Sequence, residues 1–164
     1  MISILLKGLD TTLNWVLTMI MAAMLVVVSA QVWYRFVLND PLAWSEELAR
    51  YLFVWISFLG SAAGIRMNVH LGIDLIDKIL SPRGRKIMTL IVNLAIQIFL
   101  AVVIFWGIKI LKVVQFQKSA SMGIPMTYPY LAVPVGSALM LLNSVRNTWE
   151  MLFKPAAPTE DDHV

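Results

Sequence analysis

Apolar positions in this chain gather into four long runs separated by short polar stretches. The first, residues 11–34, carries no formal charge, and Trp15 and Trp33 within it lie about 27 Å apart on a helix rising about 1.5 Å per residue. That nearly matches a hydrocarbon core of about 30 Å. Val28, Ser29 and Ala30 resemble a signal-peptidase site, but the run exceeds the roughly 7 to 15 residues of a signal h-region, so an uncleaved membrane helix is predicted. Residues 36–40 then turn the chain back, making the first two helices antiparallel neighbours. The second run is predicted to span 44–65, the third 87–110 and the fourth 130–151; the first span is placed at 11–35. Asn93 and Gln97, one turn apart in the third run, are expected to face another helix.

The stretch 40–66 holds the densest set of signals. Asp40 can cap free backbone N–H groups and Pro41 suits the first position of a helix. Glu46 and Arg50 follow one turn apart on one face. No charge appears from Tyr51 to Ile65, and Gly60 and Gly64, beside Ser61, form a strip on which another helix backbone can approach. Between the second and third runs, Val69, Ile73, Ile76 and Leu80 share one helical face while His70, Asp74, Asp77 and Lys78 share another, which predicts a short amphipathic helix in the interface plane. Residues 119–129 are expected to enter the fourth run irregularly. The residues from 155 onward are polar and acidic, and are expected to form a disordered tail beyond a single domain of residues 1–154.

Composition agrees with lipid as the solvent: 59% of the 164 residues are hydrophobic and 14% charged. The fold class predicted is therefore an all-α integral membrane protein with four transmembrane helices and one interfacial helix. Lys7, Arg66, Lys78, Arg83, Arg85, Lys86, Arg146 and Lys154 fall on the side of the termini, against Arg35, Arg50, Lys109, Lys112 and Lys118 on the other. That bias favours both termini in the cytoplasm. No basic run with interleaved aromatics suggests nucleic acid.

Candidate chemistry is sparse. With no cysteine, disulfides and thiolate ligation are excluded. His70 and Asp74 are too few for a metal site, and no histidine lies inside a span to hold haem. Glu46 and Glu47 are adjacent, so on a helix they point about 100° apart, which favours structural pairing with Arg50 or a partner over joint catalysis. Lys109, Lys112 and Lys118 could meet an acidic partner or snorkel to the interface. No ionisable residue lies near the middle of any span, where proton relays and ion sites are placed. No enzyme activity, metal or cofactor is therefore expected, and four helices without internal chemistry suggest an accessory subunit.

Several patches together resemble the small membrane subunit (DctQ-like) of tripartite ATP-independent periplasmic (TRAP) transporters: Arg35-Phe36-Val37; Pro41 with Trp44-Ser45-Glu46-Glu47 and Arg50; Phe58 to Ala63; His70 with Ile73-Asp74; and Gly123-Ile124-Pro125 with Tyr130 and Pro134-Val135-Gly136. The resemblance covers almost the whole chain. It implies a scaffold in the bacterial inner membrane for a large multi-span subunit, which holds the substrate and sodium sites, and a docking surface for a periplasmic substrate-binding protein. It implies uptake of an organic acid such as a C4-dicarboxylate or a sialic acid. By position, Gly60, Ser61 and Gly64 would be helix-packing contacts, inside the chain or toward the large subunit. Trp44, Glu46, Glu47 and Arg50 would anchor the second helix at the outer interface, and Lys112 and Lys118 would contact the binding protein. The competing class is a membrane anchor for an enzyme or redox complex; a self-sufficient small exporter is a third.

Overall fold

The computed structural model describes residues 2–66 and 82–153; the expected interfacial helix, with His70 and Asp74, and the expected tail lie outside them. Among the described residues five helices follow one another: α1 (Ile2–Phe36), α2 (Ala43–Arg66), α3 (Pro82–Val114), α4 (Thr127–Tyr130) and α5 (Ala132–Phe153). Among the described residues four segments are long and apolar enough to cross a membrane: Gly8–Phe36, Ala43–Arg66, Lys86–Val114 and Thr127–Phe153. The all-helical, four-span class read from the hydropathy pattern is the class observed.

The helix starts and turns have local causes. Pro82 opens α3, where its missing N–H is one of the unpaired donors of any first turn. Asp40 does not cap α2, contrary to the expectation. Asn39 takes a left-handed conformation (φ 54°), and the N–H of Asp40 reaches back 3.1 Å to the carbonyl of Tyr34 at the end of α1. Helix α2 instead begins at Ala43, and Ser45 secures that start through its hydroxyl, which donates to the Leu42 carbonyl at 2.7 Å.

The extensive helix contacts run in the order α1–α2–α5–α3, an open row rather than a closed ring of four. Helix α5 with the short α4 before it sits centrally, with 44% of its most apolar window buried against 0% for α1 at the edge. Leu13, Leu59, Ala62, Ala63, Leu100 and Met140 form the apolar core between the helices. Lipid tails are as apolar as these side chains, so close packing and polar contacts hold the row together more than water exclusion does.

The closest approach is at Gly136 on α5. A Cβ there would lie 2.5 Å from Cβ of Phe58 and 3.2 Å from its carbonyl carbon, so α2 and α5 touch almost backbone to side-chain root. A second tight seam joins α3 to α5, where a Cβ on Gly107 would meet the Pro134 ring at 3.3 Å. By contrast, nothing lies within 4 Å of a Cβ built on Gly60 or Gly64. Among the described glycines, Gly136, and less tightly Gly107, are those that let helices close. Gly136→Ala should therefore force α2 and α5 apart at a cost of about 1–3 kcal/mol, whereas Gly60→Ala should leave the isolated subunit unchanged. Tryptophan-monitored thermal unfolding in mild detergent reads the difference; equal midpoints for the two variants would contradict the seam.

Candidate subunit and docking surfaces

The row has two polar ends. One, the turn end, carries residues 37–42 and the loop 115–126; the other, the terminal end, carries the start of α1 and the ends of α2 and α5.

At the turn end, Glu47 is the organising side chain. It lies on α2 one turn from Tyr51 and is buried, with 6% of its surface exposed. One carboxylate oxygen accepts the backbone N–H groups of Ser121 at 2.9 Å and Met122 at 3.2 Å; the other accepts the Tyr51 hydroxyl. The same hydroxyl lies 3.2 Å from Sδ of Met126. The loop itself folds as a small hairpin: Lys118 pairs with Pro125, Ser119 N–H donates to the Ile124 carbonyl at 2.8 Å, and Met126 N–H to the Gln117 carbonyl at 3.0 Å. Gly123, with φ +67°, supplies the left-handed residue that closes it.

Glu46, adjacent in sequence, points elsewhere. It faces Arg50 at 3.7 Å, both side chains about two-thirds exposed, so the pair contributes at most about 0.5 kcal/mol. Two neighbouring carboxylates read together from sequence thus separate into a surface ion pair and a buried clamp. Pairing of Glu47 with Arg50 is not what the structure shows; besides Tyr51 one turn along, its partners are backbone amides of a loop more than seventy residues away, which no local spacing reveals. Trp44 is 43% exposed in the first turn of α2. Lys112 and Lys118 are exposed, as is Phe116, between them in sequence, at 85%. Lys109 folds back over its own helix, its Nζ 4.4 Å from the Phe105 ring centre and 4.7 Å from that of Trp106.

On the α2 surface, Ser57 and Ser61 are exposed and donate to the carbonyls one turn earlier, Phe53 at 2.8 Å and Ser57 at 2.7 Å. The strip formed with Gly60 and Gly64 therefore offers a shallow surface with satisfied hydroxyls.

The terminal end holds an ion cluster that the sequence reading missed. Asp10 of α1 reaches Arg66 of α2 at 3.5 Å and Arg146 of α5 at 3.2 Å, and Arg146 also pairs with Glu150 at 3.3 Å. Asp10 lies just before the charge-free run, so no hydropathy argument singled it out. Two arginines counted as orientation signals are thus also structural, joining three helices. Nearby, Asn147 donates to the Ile65 carbonyl at 2.6 Å and Asn143 to that of Ala62 at 2.8 Å, while Gln97 of α3 donates to Thr148 at 3.0 Å. The expectation that Gln97 faces another helix is met, and Asn93 is buried beside it in sequence register.

The described residues form an open row of apolar helices joined by close packing and a few polar contacts, and comparison with known proteins names the class. Residues 24–154 match the family of tripartite ATP-independent periplasmic transporters, DctQ component. The chain belongs to this family, the small permease component of TRAP transporters. It is 29% identical over 133 residues to the sialic acid TRAP transporter small permease protein SiaQ of Vibrio cholerae, covering 81% of this chain and 77% of SiaQ. Over 140 residues it is 29% identical to the sialic acid TRAP transporter permease protein SiaT of Haemophilus influenzae, covering 85% of this chain but 23% of SiaT. Over 101 residues it is 34% identical to the C4-dicarboxylate TRAP transporter small permease protein DctQ of Rhodobacter capsulatus, covering 60% of this chain and 44% of that protein. None of these relatives favours the enzyme-anchor class.

Asp10→Asn should remove the carboxylate that Arg66 meets at 3.5 Å and one of the two that Arg146 meets, and destabilise the subunit by about 2 kcal/mol. The unfolding midpoint in detergent should fall clearly, whereas Glu46→Gln should move it little; a neutral Asp10→Asn would reduce the cluster to a surface feature.

Proposed function

We propose that this subunit is the static partner of a large multi-span permease, bound along an apolar face of the open row, with the turn end facing the periplasm and both termini in the cytoplasm of a bacterial inner membrane. The observation that carries this reading is the match to the DctQ component across residues 24–154, joined to an interior that contains helix contacts and no ionisable group at mid-span. The match to under a quarter of SiaT accords with a subunit whose function is completed by a much larger membrane partner. Substrate and sodium would then be handled by that partner, and the substrate is an organic acid of the sort the relatives' names describe, a sialic acid or a C4-dicarboxylate. Trp44 and the Glu46–Arg50 pair would hold the start of α2 at the outer interface. Gly60, Ser61 and Gly64, open within the chain, would receive a helix of the large subunit. Lys112 and Lys118 would meet an acidic face of the substrate-binding protein.

Two measurements check these assignments. Gly60→Leu with Gly64→Leu should leave the unfolding midpoint of the isolated subunit unchanged and cut recovery of the large subunit in a mild-detergent pull-down several-fold; undiminished recovery would remove the strip from the interface. Charge reversal at Lys112 and Lys118 should weaken binding-protein-dependent uptake more at low than at high ionic strength, because exposed charges are screened beyond about 8 Å at physiological salt. A deficit independent of salt would remove these lysines as electrostatic contacts.

A further inference from the structure

The loop 115–126 closes its own neck by backbone pairing, but that pairing does not determine where the loop stands on the membrane surface. Glu47 does. The N–H groups of Ser121 and Met122, successive along the loop, converge on one of its oxygens at 2.9 and 3.2 Å. Successive backbone amides aimed at one point make an anion site, and here the anion is the protein's own carboxylate. Tyr51, held by the other oxygen, touches Met126 where the hairpin leaves toward α4. One carboxylate and one phenol therefore hold both the tip and the exit of the loop on α2.

The clamp orients an unusual pair of neighbours. Phe116 is 85% exposed and lies beyond the end of α3, with Lys112 before it and Lys118 after it. Among the described residues, no packing accounts for a phenyl ring at that exposure. An exposed ring with exposed lysines four residues before it and two after it in sequence fits a soluble protein surface with an apolar recess rimmed by carboxylates. The surrounding charge agrees: Arg35, Arg50, Lys109, Lys112 and Lys118 are exposed at this end against Asp40 and Glu46, while Glu47 is buried inside the clamp.

We propose that Glu47 is a positioning residue for docking of the periplasmic binding protein: by clamping Ser121 and Met122 it presents Phe116 and Lys118 as one apolar and basic contact for an acidic face of that protein. This rests on the docking role proposed above, and the experiment separates the two.

The full transporter complex is reconstituted in liposomes and uptake is measured against binding-protein concentration for wild type, Glu47→Gln, Lys118→Glu and the double variant. Glutamine keeps the shape but carries no charge, so the two loop amides exchange charge-assisted bonds to a carboxylate for weaker bonds to an amide oxygen. Glu47→Gln is expected to raise the half-saturating concentration of binding protein about threefold to tenfold, the range that the net contribution of one hydrogen bond spans, with maximal uptake retained. Hydrogen exchange at Ser121 and Met122 should accelerate in parallel. In the Lys118→Glu background the same substitution should add little, since the loop no longer presents a useful charge.

A full, additive effect in both backgrounds, no shift in half-saturation, or unchanged exchange at the two amides would overturn the assignment of Glu47 while leaving docking intact. No effect of Lys118→Glu, with exchange at the loop still released by Glu47→Gln, would instead overturn the docking role and the positioning proposal with it. If the Gln variant does not assemble, Tyr51→Phe, which removes a single donor, must shift half-saturation in the same direction, and its failure to do so counts against the clamp.

Discussion

The rest of the structure depends on how α5 holds its two neighbours in a solvent that gives apolar side chains little reason to associate. Gly136 lets Phe58 approach α5 to within contact of the backbone, and Gly107 does the same for Pro134 on the other side. Directional bonds then set the register. Asn143 and Asn147, one turn apart, reach the carbonyls of Ala62 and Ile65 near the end of α2, and Gln97 reaches α5 from α3. In the absence of water such bonds have few competitors, and the last carbonyls of a helix need partners. Helix α1 is added to this centre through the Asp10 cluster and the apolar contacts of Leu13.

This arrangement suits a subunit that stands still. Asn143, Asn147, Gln97 and Thr148 spend their polar groups on helix contacts, with the buried Ser137 hydroxyl left without a partner among the described residues, and the open row leaves long apolar faces on α1 and α3 for lipid or another protein. Both ends are tied across helices: Asp10 with two arginines at one, Glu47 with the hairpin at the other. A row without ring closure gains rigidity from such end ties, since its edge helices each have a single extensive neighbour.

Much of the fold was readable before any coordinates. The four spans, the α1–α2 turn and the inter-helix role of Gln97 follow from charge-free runs of membrane length and from polar residues stranded inside them. The candidate surfaces are less legible, because burial and partner choice do not show in local spacing. Within the W-S-E-E string, Glu46 and Glu47 look equivalent in sequence and differ in burial and partners in the structure. Likewise Gly60 and Gly64 have the spacing of a packing motif, whereas the close approach within the chain uses Gly136, which has no such partner in α5. Spacing says which residues share a face; it does not say which face meets a neighbour.

The amino-acid sequence by itself determined the solvent, the number of crossings, the absence of ionisable groups at mid-membrane and the family, because each depends on composition, local period or matched residues. Only the tertiary structure decided the order of helices in the row, the identity of the seam glycines, the joining of Asp10 to Arg66 and Arg146, and the burial of Glu47 under the loop. Those pairings link positions tens to more than a hundred residues apart, and their energies arise from distance and desolvation, which come into being when the helices pack.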